Sequence, residues 1–154
     1  MRRFYCALFL VCGFASAAMA ANTRTVPGAK KNPAPAPAAA GFSLADAVKE
    51  SGYAAALDDL LKNSGGLPVW IHEVRNPKGN YVGTAVVRTT VGGTTYELFH
   101  ACKTGECAVH QFEVMFAPKG AQAWGAVMED GKSIYYLGLP NPAQQGALKT
   151  GLKP

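Results

Sequence analysis

The sequence predicts an α+β fold: a twisted antiparallel β-sheet of about five to six strands, with helices from both chain ends packed on one face. Apolar residues recur at helical spacing over residues 43–61, and a second short helical pattern follows residue 141. Between these segments the apolar residues alternate with polar ones, and short turns rich in Gly and Pro separate the runs. Short connections between strands are typical of an antiparallel meander.

The first twenty residues have the pattern of a secretory signal peptide. Arg2 and Arg3 supply the positive start, and residues 4–14 form an apolar run too short to span a bilayer. Ala18-Met19-Ala20 matches a cleavage site, so we expect export to the bacterial periplasm with cleavage after Ala20. No second apolar stretch reaches transmembrane length, and we expect no membrane association after cleavage.

Residues 21–41 are predicted to be a flexible tail, and residues 42–154 a single domain. The tail alternates Pro and Ala from position 33 onwards, a composition that favours extended polyproline II and buries little surface. Loss of Arg2 and Arg3 with the leader lowers the formal net charge from +5 to +3. This modest excess shows no Arg-rich stripe with interleaved aromatics, so nucleic acid is not an expected partner.

Local signals place the helices at the two ends of the domain. Ser43 is the expected N-cap of the first helix, which Ser51-Gly52 bends or breaks. Residues 53–61 continue the helical pattern until Gly65-Gly66. Near the C-terminus, Asn141 is the expected cap of a short helix with Pro142 at its first position.

Six runs between the helices are candidate strands. Gly92-Gly93 and Asp130-Gly131 are hairpin signals, and Asn76 to Gly79 and Pro118 to Gly120 are turns. The candidate strands are residues 69–75, 81–91, 94–101, 108–117, 121–129 and 132–137.

Enzyme motifs are absent from the sequence, so we expect a protein that is not an enzyme and needs no cofactor. It contains no G-x-S-x-G, no H-E-x-x-H and no Gly-rich phosphate loop. The glutamates of the predicted strands are scattered, which favours a solvated sheet face over a catalytic group. These glutamates are Glu73, Glu97, Glu106, Glu113 and Glu129.

A loop bracketed by Cys102 and Cys107 is the most distinctive feature of the domain. In an exported chain these cysteines are expected to form a disulfide, either as a structural staple or as a rigid loop for binding. A zinc site is an alternative, because His100 and His110 flank the pair, although the spacing is not that of a zinc finger. The spacing also differs from the Cys-x-x-Cys of thiol oxidoreductases.

Several segments together resemble the Ivy family, the periplasmic inhibitors of vertebrate lysozyme. The resemblance rests on Leu67-Pro68-Val69-Trp70, on Tyr96-Glu97-Leu98, on Ala101-Cys102-Lys103 with Cys107, and on Glu113-Val114-Met115-Phe116. It covers most of residues 53–150 and implies an α+β fold.

The resemblance implies that the loop of residues 102–107 enters the cleft of a C-type lysozyme. In the family this loop reads C-K-P-H-D-C, and its histidine lies between the two catalytic carboxylates. Here Cys102, Lys103 and Cys107 match the pattern, whereas Thr104, Gly105 and Glu106 replace proline, histidine and aspartate.

The expected binding residues are therefore Cys102, Lys103, Thr104, Gly105, Glu106 and Cys107, with His100 and His110 as flanking contacts. The expected partner is a C-type lysozyme or a bacterial muramidase such as a lytic transglycosylase. A relative without lysozyme inhibition, acting as an envelope binding or scaffold module, is the alternative. The family includes homodimers, so a homodimer is one candidate assembly.

Overall fold

The domain is built on one antiparallel sheet of six strands, with the α+β class that the sequence predicts. The computed structural model describes residues 41–153, so the predicted signal peptide and nearly all of the predicted tail lie outside the described residues. The strands are β1 (Tyr81–Gly83), β2 (Val87–Val91), β3 (Thr94–Lys103), β4 (Gln111–Phe116), β5 (Ala123–Met128) and β6 (Ile134–Leu137). Strand β3 pairs with β1, β2 and β4, and the sheet continues through β5 to β6.

The single strand predicted over residues 81–91 is interrupted. Gly83 lies opposite Ala101, and Val87 lies opposite Leu98, so four steps along this chain match three along β3. The extra residue produces a bulge, which separates β1 from β2. Ala85, within the interruption, forms a bridge with Ser43 at the start of the domain.

Two helices at the start of the domain form where the sequence predicts them. Helix α1 (Leu44–Ala47) begins at Ser43, which forms a capping box with Asp46. Helix α2 (Ser51–Lys62) follows after a break at residues 48–50, so Ser51 and Gly52 begin the second helix and the break lies just before the predicted position. Gly52 is required near this break, because a Cβ atom there would lie 2.6 Å from the carbonyl oxygen of Lys119.

The strand predicted over residues 69–75 is wrong. The chain forms helix α3 (Val69–His72), followed by a 3₁₀ turn at Glu73–Arg75. Trp70, Ile71 and Val74 are buried, and this spacing fits a helical face. Val69-Trp70-Ile71 is also a short run of β-branched and aromatic residues typical of a strand, so a run this short does not distinguish the two structures.

The C-terminal helix agrees with its predicted cap. Helix α4 (Pro142–Gly151) begins at Asn141, whose side chain accepts a hydrogen bond from the Gln144 amide. The Gln144 side chain accepts one from the Asn141 amide in return, which completes a capping box. Pro142 occupies the first position, where a missing amide proton costs little.

The helices pack on opposite faces of the sheet, which corrects the prediction of a single shared face. On β4, Val114 packs in the cluster that contains α1, α2 and α3, whereas its neighbour Met115 packs in the cluster that contains α4. Successive side chains of a strand point to opposite faces, so the two clusters lie on either side of the sheet. Every residue of β4 and β5 is consequently buried.

Candidate functional site

The loop bracketed by cysteines connects β3 to β4 and projects from one end of the sheet. Cys102 lies opposite Gln111 in the last paired positions of the two strands. The predicted disulfide is confirmed: Cys102 and Cys107 are bonded, with their Cα atoms 4.8 Å apart. Residues 104–109 are all exposed, whereas Cys102 is buried in the sheet. The disulfide therefore ties an exposed loop to a rigid strand end. It also leaves neither cysteine a free thiolate for zinc.

Backbone hydrogen bonds brace the loop from within and from both sides. The Glu106 amide donates to the carbonyl of Lys103 at 3.0 Å, which closes a turn at the tip. The Thr104 amide donates to Asn80 at 3.3 Å on one side, and Val109 accepts from the Gly131 amide at 3.2 Å on the other. These contacts link the loop to the turns that precede β1 and β6.

Polar and charged side chains form a continuous network from Lys103 and Glu106 in the loop to Trp70 on α3, which we call the loop network. Lys103 Nζ lies 2.6 Å from Glu106 Oε1, and Glu106 Oε2 lies 2.9 Å from His110 Nε2. His110 Nδ1 lies 3.1 Å from Glu129 Oε2, and Trp70 Nε1 donates to Glu129 Oε1 at 3.1 Å. Each ring nitrogen of His110 thus faces a carboxylate oxygen of a different glutamate.

The charges of the loop are thus satisfied within the protein. The hydrogen bond from Lys103 lowers the pKa of the Glu106 carboxyl, and the charges of Lys103 and His110 act in the same direction. The tip that remains for a partner consists of Thr104 and Gly105. Gly105 has φ of +79°, a left-handed conformation that glycine adopts without strain, and no atom beyond its two chain neighbours lies within 4 Å of where a Cβ would be.

The two flanking histidines have different environments. His110 belongs to the loop network and contacts the loop directly. His100 lies on the face covered by α4, where its Nδ1 is 3.2 Å from Glu113 Oε2. Of the two predicted flanking contacts, the structure therefore brings only His110 to the loop.

Glu113 is buried, which corrects the expectation of a solvated sheet face for this residue. Its side chain is 4% exposed, because α4 covers the strand face that the sequence predicts to be open to water. Burial raises the pKa of the Glu113 carboxyl, and the hydrogen bond with His100 acts against that rise. A buried carboxyl paired with a histidine is a second polar site, separate from the loop.

Sequence reasoning missed the role of Trp70 and Glu129 in supporting the loop. The two residues are 59 positions apart and lie on a helix and after a strand, so no local spacing connects them. Trp70 stood out only as part of the Leu67-Pro68-Val69-Trp70 segment, in a stretch predicted to be a strand.

A cleft of about 770 Å³ lies between the C-terminal part of α2 and β6. Leu60, Tyr135 and Leu139 are among its lining residues, and none of the residues 102–107 lines it. Within residues 41–153, no group of three or more His, Cys, Asp or Glu side chains is arranged to hold a metal ion. No helix in the same range is both long and apolar enough to cross a bilayer.

Comparison with known proteins gives no match to this sequence, either among protein-family models or among curated proteins.

Proposed function

We propose that the protein is an exported, non-enzymatic inhibitor of lysozyme-type muramidases that plugs the active-site cleft with the loop of residues 102–107. The observation that carries the proposal is the presentation of this loop: it is exposed, closed by a disulfide and braced by backbone bonds on two sides. Such a loop has lost most of its conformational entropy before it meets a partner, which favours tight binding. The resemblance to the Ivy family points to the same loop and to the periplasm.

The loop network supports this proposal by fixing the base of the loop. Glu106, His110 and Glu129 hold one another through contacts of 2.9 and 3.1 Å. Trp70 anchors the network in the core, since it is 6% exposed. A binding element held in this way keeps its shape when it enters a cleft, as a cleft inhibitor requires.

A second candidate target is a bacterial lytic transglycosylase, and the chemistry of the tip favours it. Gly105 offers no side-chain donor, and Lys103 and Glu106 are already paired with each other. The remaining side-chain donor of the tip is the single hydroxyl proton of Thr104, which can serve only one of the two carboxylates of a lysozyme. Lytic transglycosylases have a single catalytic acid, so this tip is less disfavoured there.

The test is hydrolysis of bacterial cell walls by hen-type lysozyme and by a lytic transglycosylase, each with and without the protein of residues 21–154. The protein is assayed oxidised and after reduction of the disulfide. Inhibition that falls on reduction supports a preorganised plug. Absence of inhibition of both enzymes at micromolar concentration contradicts the proposal and leaves the envelope binding or scaffold module.

The variant Gly105→His distinguishes lysozyme from a lytic transglycosylase as the target of the native loop. It restores the family's loop histidine, although the left-handed backbone at this position costs about 1 kcal/mol for a residue other than glycine. Gain of lysozyme inhibition in the variant, together with its absence in the native protein, indicates a native loop adapted to another target. Glu106 is best left unchanged in this first variant, because it contacts Lys103 and His110.

A further inference from the structure

A small cavity of about 290 Å³ lies between the sheet and the C-terminal end of α4, on the face opposite to α1, α2 and α3. Its apolar wall includes Val87 and Leu98, and its polar wall includes His100, Glu113 and Thr150. The volume is near the lower end of the range for small-molecule sites. The cavity is therefore large enough for one small ligand and shares no lining residue with the loop of residues 102–107.

Glu113 is the buried polar group of this cavity. One carboxylate oxygen, Oε2, lies 3.2 Å from His100 Nδ1. The other, Oε1, makes no hydrogen bond to the described residues and keeps contact with the cavity, in a side chain that is 4% exposed. A largely buried carboxylate with an unpaired oxygen on a cavity wall provides a hydrogen-bond acceptor for a ligand.

The end of α4 is shaped around this carboxyl group. A Cβ atom on Gly151 would lie 2.2 Å from Glu113 Cδ, so only glycine leaves room for the group. The segment after the helix is fixed by Gln111, whose amide donates to the Lys153 carbonyl at 2.8 Å and accepts from its amide at 2.9 Å. The position of the helix end against Glu113 is therefore well defined.

The electrostatics of the cavity favour a cation. The C-terminal end of a helix carries a partial negative charge from its free carbonyls, and Thr150 and Gly151 place that end on the wall beside the Glu113 carboxylate. The basic groups on the wall are His100, which already faces Glu113, and Lys153, whose side chain is exposed. The Lys153 ammonium at the rim of the cavity therefore competes with a ligand cation for the Glu113 carboxylate.

We propose that this cavity binds a primary ammonium group at the end of a short alkyl chain, with the ammonium against Glu113 Oε1 and the alkyl chain against Val87 and Leu98. This site is independent of the proposed inhibitor function. The same chemistry occurs in free alkylamines and in a lysine side chain of another protein.

Burial raises the pKa of the Glu113 carboxyl, and a bound cation favours its ionised form. Binding of the ammonium therefore competes with protonation of Glu113 and weakens as the pH falls.

The experiment is a titration of the protein with n-pentylammonium at pH 7.5, followed by the ring resonances of His100 in NMR spectra. The neutral n-pentanol is the matched ligand control, and the rings of His72 and His110 are internal controls. We expect a saturable shift of His100 with the ammonium and at least tenfold weaker binding of the alcohol. Equal binding of the two ligands, or no shift of His100, overturns the proposal.

Two variants with opposite expected effects complete the test. Glu113→Gln keeps the shape of the side chain and should weaken ammonium binding at least tenfold. Lys153→Met should strengthen it, because it removes the competing cation at the rim. Asp59→Asn, an equal change of charge on the exposed face of α2, is the matched control and should change nothing. Glu113→Gln binding within twofold of the native protein contradicts the proposal.

A third ligand, Nα-acetyl-lysine methylamide, distinguishes a lysine side chain of a partner protein from a free alkylamine. Binding as tight as that of n-pentylammonium supports a lysine side chain of a partner protein as the occupant. Weaker binding of the lysine derivative supports a free alkylamine.

Discussion

The indole Nε1 of Trp70 donates a hydrogen bond of 3.1 Å to Glu129 Oε1, and this bond connects the loop of residues 102–107 to the core. The second oxygen of Glu129 faces His110, and His110 faces Glu106 at the loop. The bond therefore joins a helix on one sheet face to a loop at the sheet end.

Removal of the Glu129 carboxylate should loosen the loop without unfolding the domain. In Glu129→Ala, Trp70 and His110 lose their common acceptor, and we expect a loss of about 1–3 kcal/mol in the free energy of unfolding. Amide hydrogen exchange of residues 103–110 should accelerate more than exchange in β4. The variant Asp59→Ala is the control, since Asp59 is exposed on α2 and outside the loop network. Unchanged exchange in the loop of Glu129→Ala would show that the network does not hold it.

Removal of the disulfide should destabilise the domain modestly. Cys102 and Cys107 are five positions apart. Closing so short a loop lowers the entropy of the unfolded chain, which stabilises the folded protein by about 2 kcal/mol. We expect the double variant Cys102→Ala/Cys107→Ala to lose about 2 kcal/mol in the free energy of unfolding. Its midpoint in urea should fall accordingly, while the slope of the unfolding free energy against urea concentration changes little. A loss above about 5 kcal/mol would indicate that the disulfide holds the sheet itself.

The buried Glu113 should make stability depend on pH. Burial raises the pKa of its carboxyl above the ordinary value of 4.5, so the folded protein retains a proton that the unfolded chain has released. Its contribution to stability is complete below the unfolded pKa and is lost as the pH rises through the folded pKa. Glu113→Gln removes this loss. The stability of the variant relative to the native protein should therefore increase from pH 4 to pH 8 in urea titrations, and a relative stability that decreases over this range would contradict the assignment.

Two tyrosines offer a matched pair of substitutions. The Tyr81 hydroxyl is buried without a hydrogen-bond partner among the described residues, whereas the Tyr53 hydroxyl donates to Glu97. Tyr81→Phe should leave the free energy of unfolding unchanged or raise it by up to about 1 kcal/mol. Tyr53→Phe should lower it by about 1–2 kcal/mol, because it removes a hydrogen bond to a carboxylate. Thermal or urea unfolding of both variants measures the difference. Equal losses of unfolding free energy would contradict the claim that only the Tyr53 hydroxyl has a hydrogen-bond partner.

Features with local causes were predictable from the sequence. Ser43 and Asn141 cap their helices through residues three positions away, so the signal lies in a few letters. Gly92 and Gly93 both adopt positive φ in the two-residue connection between β2 and β3, as the predicted hairpin requires. The Cys102–Cys107 disulfide also follows from short spacing between two strands.

Features that depend on tertiary packing were not predictable. Residues 69–75 combine residue types favoured in strands with a helical spacing of apolar positions, and only the burial of Trp70, Ile71 and Val74 decides between them. Glu113 is buried because α4 crosses the second sheet face, which nothing in β4 itself indicates. For the same reason the sequence offers no sign of the contact between Glu129 and Trp70.

The most direct test of the central claim places a bulky side chain at the exposed loop tip. Under the proposed function, Thr104→Trp should abolish inhibition of the target muramidase, because an indole at the tip would block entry into the cleft. Thr94→Trp, an identical change at the exposed start of β3, should inhibit as the native protein does. Cell-wall hydrolysis by lysozyme and by a lytic transglycosylase, measured with both variants, gives the answer. Full inhibition by Thr104→Trp would contradict the claim that the loop of residues 102–107 is the inhibitory element.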